Sequence, residues 1–170
     1  DVYRLWVRQR SEGWKVQGVD RPLMSLEAAG YDALYAYRYD WNDQADSFLI
    51  DFSTVLGAAH ASEISFIHGK AMYGPIGSYM YPDTESARDM TDIMMTAWAN
   101  FARSGSPGTV KGDPWAPFSS RAPHYMVLDS LGKHALRADV SSIDEILADV
   151  ADTPLLDAQE RCILAWALAP

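Results

Sequence analysis

Residues 33–41 read ALYAYRYDW, and no other stretch limits the fold so tightly. The run is short, aromatic and almost continuously apolar, with Arg38 the only charge before Asp40. That pattern predicts a strand buried on both faces, as in a largely parallel sheet. Such a strand cannot stand alone, because each edge carries a row of backbone donors and acceptors that must be paired or covered.

The rest of the chain offers few strands to pair with it. Residues 20–30, DRPLMSLEAAG, predict a short helix with Pro22 in its first turn and Gly30 just past its end. A turn-like NDQAD follows the aromatic run and leads through FLIDFSTV. The clearest helix is 84–103, capped by Asp83 or Thr84 and stopped at Gly105. Its Met90, Ile93, Met94, Ala97, Trp98 and Phe101 recur at three- and four-residue spacing and form one apolar face. A loop rich in Gly, Pro and Ser comes next, then a short strand, YMVLD, at 125–129, and a turn at Leu131–Lys133. Residues 141–149 and 154–168 predict two more helices. The last has Pro154 in its first turn and a stripe of Leu156, Ile163, Leu164, Ala167 and Leu168. So many helices around so few strands predict an α/β class with only part of a sheet.

Composition narrows the function classes. With 170 residues, 48% of them hydrophobic and 22% charged, the chain is globular and not disordered. A formal net charge of −9 repels phosphate backbones, so no nucleic-acid partner is expected. No run of eighteen apolar residues is present, so no membrane span is expected. Cys162 is the single cysteine and cannot build an internal disulfide framework; beside Ile163 it reads as a small buried hydrophobe. The chain opens at Asp1 and not at methionine, which leaves the question of upstream sequence open.

Chemistry concentrates in residues 56–69, LGAAHASEISFIHG. His60 lies between Gly57, Ala58 and Ala59 on one side and Ala61 on the other, so nearby side chains offer it no hydrogen bond. Most histidines are structural, yet this one follows a predicted central strand through a loop, where functional residues of α/β folds concentrate. Its small neighbours, Ala59 and Ala61 among them, leave room for a substrate or partner chain. Residue physics leaves a structural and a catalytic histidine both open. Glu63 could orient His60 or satisfy buried backbone donors, and Gly57 shapes the loop.

Metal binding has weaker grounds. His60 and His68 are eight apart, and neither H-E-x-x-H nor C-x-x-C spacing occurs, so no metal and no cofactor is expected. His68 is expected to cap or line a loop ahead of Gly69, while His124 and His134 are expected to be solvated. The G-x-S-x-G elbow that presents a hydrolase serine is absent, and Ser78, Ser104 and Ser106 have the wrong spacing or setting.

LYAYRYDW, LGAAHASEISFIHG, MMTAWANFARSGSPG and DPWAPF, in that order, resemble the C-terminal third of a type-B, cholinesterase-like carboxylesterase of the α/β-hydrolase superfamily. WKVQGVD at 14–20 and the ending LLDAQERCILAW resemble bacterial carboxylesterases of that family. The resemblance implies the last strands of an α/β-hydrolase sheet, a catalytic-histidine loop and packing helices. Residues 1–170 would then be a C-terminal fragment of one domain, completed by a separate N-terminal chain or segment. It implies a Ser–Glu–His triad that hydrolyses carboxylic esters, with His60 as this chain's contribution. The serine, the glutamate, the oxyanion hole and most of the pocket for a small ester would come from the N-terminal portion. Ser65 stands where the family often has Pro, and His68 where it often has Phe.

Two other classes stay open: a binding or adhesion module that keeps the fold without a working triad, and an independent small domain without catalysis. The acidic, single-cysteine composition leans towards a soluble bacterial protein, cytoplasmic or exported.

Overall fold

The computed structural model describes residues 2–72, 74–138 and 142–168. It contains α1 (Val2–Lys15), a π-helical segment (Val16–Asp20), α2 (Arg21–Ala28), β1 (Tyr37–Tyr39), α3 (Phe52–Val55) and α4 (Ile64–His68). A 3₁₀ turn (Gly74–Ile76), α5 (Gly77–Met80), α6 (Glu85–Ser104), β2 (Thr109–Val110) and β3 (Asp113–Pro114) follow. The chain ends through β4 (His124–Leu128), β5 (Ala135–Ala138), α7 (Ile143–Asp152) and α8 (Ala158–Leu168). Two compact units result: residues 35–118 with 124–138, and residues 1–34 with 119–123 and 139–170.

The first unit holds a three-stranded sheet in the order β1-β4-β5. β1 runs parallel to β4, with Tyr37, Arg38 and Tyr39 opposite Met126, Val127 and Leu128. The parallel pairing matches expectation, but the burial does not. β1 is three residues long and lies at the sheet edge, with Tyr37 and Tyr39 half-buried and Arg38 exposed. Having one neighbour instead of two, it leaves one edge unpaired among the described residues. Arg38 uses its exposure to bind Asp40 at 2.6 Å and to donate to the Tyr125 hydroxyl at 2.9 Å. The antiparallel strand β5 was not anticipated, since ALRA carries no strong strand pattern; it pairs with β4 from His124↔Ala138 to Val127↔Ala135.

α6 supplies the core beneath this sheet. The Thr84 hydroxyl accepts from the Ala87 N–H, which makes Thr84 the cap, and Gly105 closes the helix in the left-handed region at φ 74°. Asp83 instead pairs with Arg88. Met90, Ile93, Met94 and Ala97 are buried with Trp41, Phe66, Trp115, Met126 and Leu128. Trp98 packs at the margin, and Phe101 is exposed although its ring meets Tyr35 edge-on at 5.8 Å. The predicted loop after α6 contains a minimal hairpin, β2–β3. Lys111 and Gly112 both take positive φ there, 51° and 96°, the requirement of a two-residue type I′ turn.

The second unit is helical. α1, the π segment and α2 run on without a break, so the helix expected at 20–30 is the last part of a longer one. Pro22 cannot donate to a carbonyl one turn back. The π segment widens the helix just ahead of it, and the Arg21 N–H bonds the Val16 carbonyl. Val16, Ile146, Val150, Leu156, Leu164 and Leu168 form the core of this unit. Gly13 permits the close approach: a Cβ there would fall 2.2 Å from a Leu168 methyl. Two expectations for the C-terminal helix fail. α8 starts after Pro154, because the Asp157 carboxylate caps it by accepting from the Gln159 and Glu160 N–H groups at 2.8 Å. Ile163 and Ala167 face solvent with Cys162, so the buried members of the expected stripe are Leu156, Leu164 and Leu168, and the cysteine is not a core residue.

Candidate functional site

The histidine loop belongs to the sheet-bearing unit and begins at α3. The Asp51 carboxylate caps that helix, accepting from the Thr54 hydroxyl at 2.7 Å and the Thr54 N–H at 2.8 Å. These bonds, with one from Ser53, hold its carboxyl down to about 2. Phe52 anchors the same turn by stacking on Tyr79 at 5.5 Å. The chain then reverses at Gly57, whose φ of 51° suits glycine, and a Cβ there would lie 3.3 Å from the Ser53 carbonyl. Its carbonyl accepts from the buried Gln44 side chain at 2.7 Å.

Beyond Gly57 the loop is pinned again. The Ser62 hydroxyl and N–H both bond the Ala59 carbonyl, at 2.6 and 3.1 Å, and the Tyr81 hydroxyl bonds the Ser62 carbonyl at 2.7 Å. Ala61 has φ 65°, a left-handed conformation that costs a residue with a Cβ about 1–2 kcal/mol. His60 sits between these points and is exposed, while Ser62 is buried and Ala59 and Ala61 are half-buried. The small residues therefore flank the ring as expected, in a backbone whose course is set from both ends.

Glu63 stands at the N-cap position of α4, and its carbonyl takes the Phe66 and Ile67 N–H groups. Its carboxylate accepts a 3.4 Å hydrogen bond from the Tyr37 hydroxyl on β1. Burial first, and the nearby Glu63 charge second, push the Tyr37 phenol up to about 12. Ser65 is buried and its hydroxyl accepts from the Met72 N–H at 3.2 Å.

The other histidines sort by burial. His68 closes α4 ahead of Gly69, which adopts φ 62° as the cap. His124 opens β4 and is half-buried with its Nε2 buried, so its expected solvation does not hold. His134 overturns its solvated expectation, since its side chain is only 3% exposed. Its Nε2 lies 3.2 Å from an Asp89 carboxylate oxygen, and its Nδ1 accepts from the Asp129 N–H at 3.3 Å. Lys111 also pairs with Asp89. No local pattern announces this link, because residues 89, 111 and 134 are far apart along the chain. The buried pair ties the turn ahead of β5 to α6. Among the described residues no group of three or more His, Cys, Asp or Glu could hold a metal ion, and no helix is long and apolar enough to cross a membrane.

An exposed imidazole on a braced loop, with small residues around it, can exchange a proton with a group brought against it. The Carboxylesterase family model matches residues 20–142, a span containing the aromatic strand, this loop, α6 and β4. The chain belongs to the carboxylesterase family. That membership implies an α/β-hydrolase fold, and the parallel β1–β4 pair with α6 beneath it is consistent with part of one.

The chain is similar to acetylcholinesterase 1 of Caenorhabditis elegans, 32% identical over 76 residues, which cover 42% of this chain and 12% of the relative. Chicken acetylcholinesterase is 31% identical over 112 residues, covering 63% of this chain and 13% of the relative. Rat acylcarnitine hydrolase is 34% identical over 108 residues, covering 62% and 18%. The chain thus spans less than a fifth of the length of these carboxylesterase relatives. They are animal proteins and lend no support to the bacterial likeness.

Proposed function

We propose that this chain supplies the general base of a carboxylic-ester hydrolase, and that the base is His60. The observation that carries the reading is the loop itself. Within the span matched by the family model, an exposed histidine is held between two left-handed residues, Gly57 and Ala61, on a backbone tied by side chains from outside. A histidine kept only for packing would be expected to be buried, as His134 is.

In this reading the nucleophilic serine, the glutamate and the oxyanion donors lie in a portion N-terminal to residue 1, which also extends the sheet past the open edge of β1. One nitrogen of His60 takes the serine proton as the hydroxyl attacks the ester carbonyl, then passes it to the departing alcohol. The glutamate holds the other nitrogen, fixing the tautomer and stabilising the imidazolium. Gly57 and Glu63 support the loop, and Ala59 and Ala61 leave space for a small ester. Neither cofactor nor metal enters the reaction.

The test is turnover of a short-chain p-nitrophenyl ester by the complete protein. His60→Ala should lose on the order of 10⁴–10⁶ in kcat, the usual loss for a triad member. His68→Ala, His124→Ala and His134→Ala should each lose about tenfold or less, with a melting curve recorded for every variant. Near-wild-type turnover in His60→Ala, or a loss that only follows unfolding, overturns the assignment. A complete protein that binds esters without turning them over would establish the binding-module reading instead.

A further inference from the structure

Gln44 is the buried polar residue that the catalytic reading leaves unused. It is 7% exposed, and it lies in the NDQAD stretch, which reads from sequence as an ordinary turn. Its Nε2 donates to the Gly57 carbonyl at 2.7 Å. Because a carbonyl only accepts, the amide nitrogen must face it, which fixes the orientation of the side chain. Its Oε1 is buried with no hydrogen-bond partner among the described residues. A chain seldom keeps a long amide buried and half satisfied when an apolar side chain would fill the same volume.

The bond falls at a sensitive point. The Gly57 carbonyl is the near foot of the histidine loop, and its far foot, the Ser62 carbonyl, is held by the Tyr81 hydroxyl at 2.7 Å. The side chains flanking His60 are methyl groups and cannot set its position by hydrogen bonding. These two outside bonds, together with the Ser62 bonds to the Ala59 carbonyl, hold the backbone that carries the ring. We infer that Gln44 and Tyr81 are positioning residues, bracing the two feet of the loop so that His60 meets its partner in reactive geometry. This rests on the proposed role of His60.

The experiment compares kcat and KM for ester hydrolysis in the complete enzyme. Gln44→Leu removes the donor at similar size and should lower kcat about tenfold or more with KM within about twofold, since small displacements of a catalytic group are costly. Tyr81→Phe should shift kcat the same way, and it carries the test if Gln44→Leu does not fold. Gln44→Glu adds a pH signature: an ionised carboxylate cannot donate to Gly57, whereas a protonated one can. Burial raises the pKa of such a carboxyl. The ratio of Gln44→Glu to wild-type kcat should therefore rise several-fold from pH 8 to pH 6. Unchanged kcat in Gln44→Leu and Tyr81→Phe, or a flat ratio, overturns the brace provided His60→Ala is inactive in the same assay. An active His60→Ala overturns the catalytic reading, and the brace with it.

Discussion

Ala61 holds φ at 65° one residue after the candidate base, and replacing it should separate strain from packing. A Cβ in the left-handed region costs about 1–2 kcal/mol, which glycine escapes. Glycine also gives the opened chain more freedom, which removes about 0.4–1 kcal/mol of that gain. Ala61→Gly should thus stabilise the loop by roughly 0.5–1 kcal/mol, or about two- to fivefold in its opening constant. Ala61→Val should act the other way and more strongly, because a β-branched residue at positive φ is a severe outlier. Both substitutions leave the anchoring bonds of Ser62 and Tyr81 in place. Amide hydrogen exchange on a peptide spanning 57–63 reads the local opening directly, whatever the stability elsewhere. Protection should rise severalfold in Ala61→Gly and fall at least tenfold in Ala61→Val. Weaker protection in Ala61→Gly would refute the argument, showing that the Ala61 methyl contributes packing worth more than the strain it imposes.

Tyr37 provides a pH test. Its folded pKa, pushed up to about 12, exceeds the unfolded value near 10, so the folded chain holds a proton that the unfolded chain has lost. Stability should therefore fall as pH rises between about 10 and 12, less steeply in Tyr37→Phe, whose spectrophotometric titration should also lack one late-ionising phenol. Equal slopes in the two proteins would contradict a phenol raised by burial first and by Glu63 second. Thr84→Ala should destabilise α6 by about 1 kcal/mol through loss of its cap, seen as faster exchange in the first turn of the helix, whereas Asp83→Ala should have a smaller effect.

Helix α6 was legible from sequence because its cap, apolar period and terminal glycine all pointed to one answer. The parallel relation of β1 to β4 was legible from the apolar run, but its burial was not, since burial depends on neighbours that a strand's own residues cannot specify. The failures at α8 share a cause. Asp157 outcompeted Pro154 as the start, and the exposure of Ile163, Ala167 and Cys162 is set by which face meets the rest of the helical unit. His60 stood out through its small neighbours. Gln44, Tyr81 and the Asp89–His134 link did not, because each is a contact between residues distant in sequence. A lone polar letter carries no sign of its partner.

Chemical rescue tests the central claim most directly. Removing the His60 ring leaves a gap beside Ala59 and Ala61 at an exposed position, open to a small free base. If His60 is the proton acceptor, added imidazole should restore part of the lost ester turnover to His60→Ala, saturating with concentration and leaving His134→Ala unaffected. If the inactive His60→Ala protein remains folded and no concentration of imidazole restores turnover above the uncatalysed imidazole reaction, His60 is not the base and the account fails.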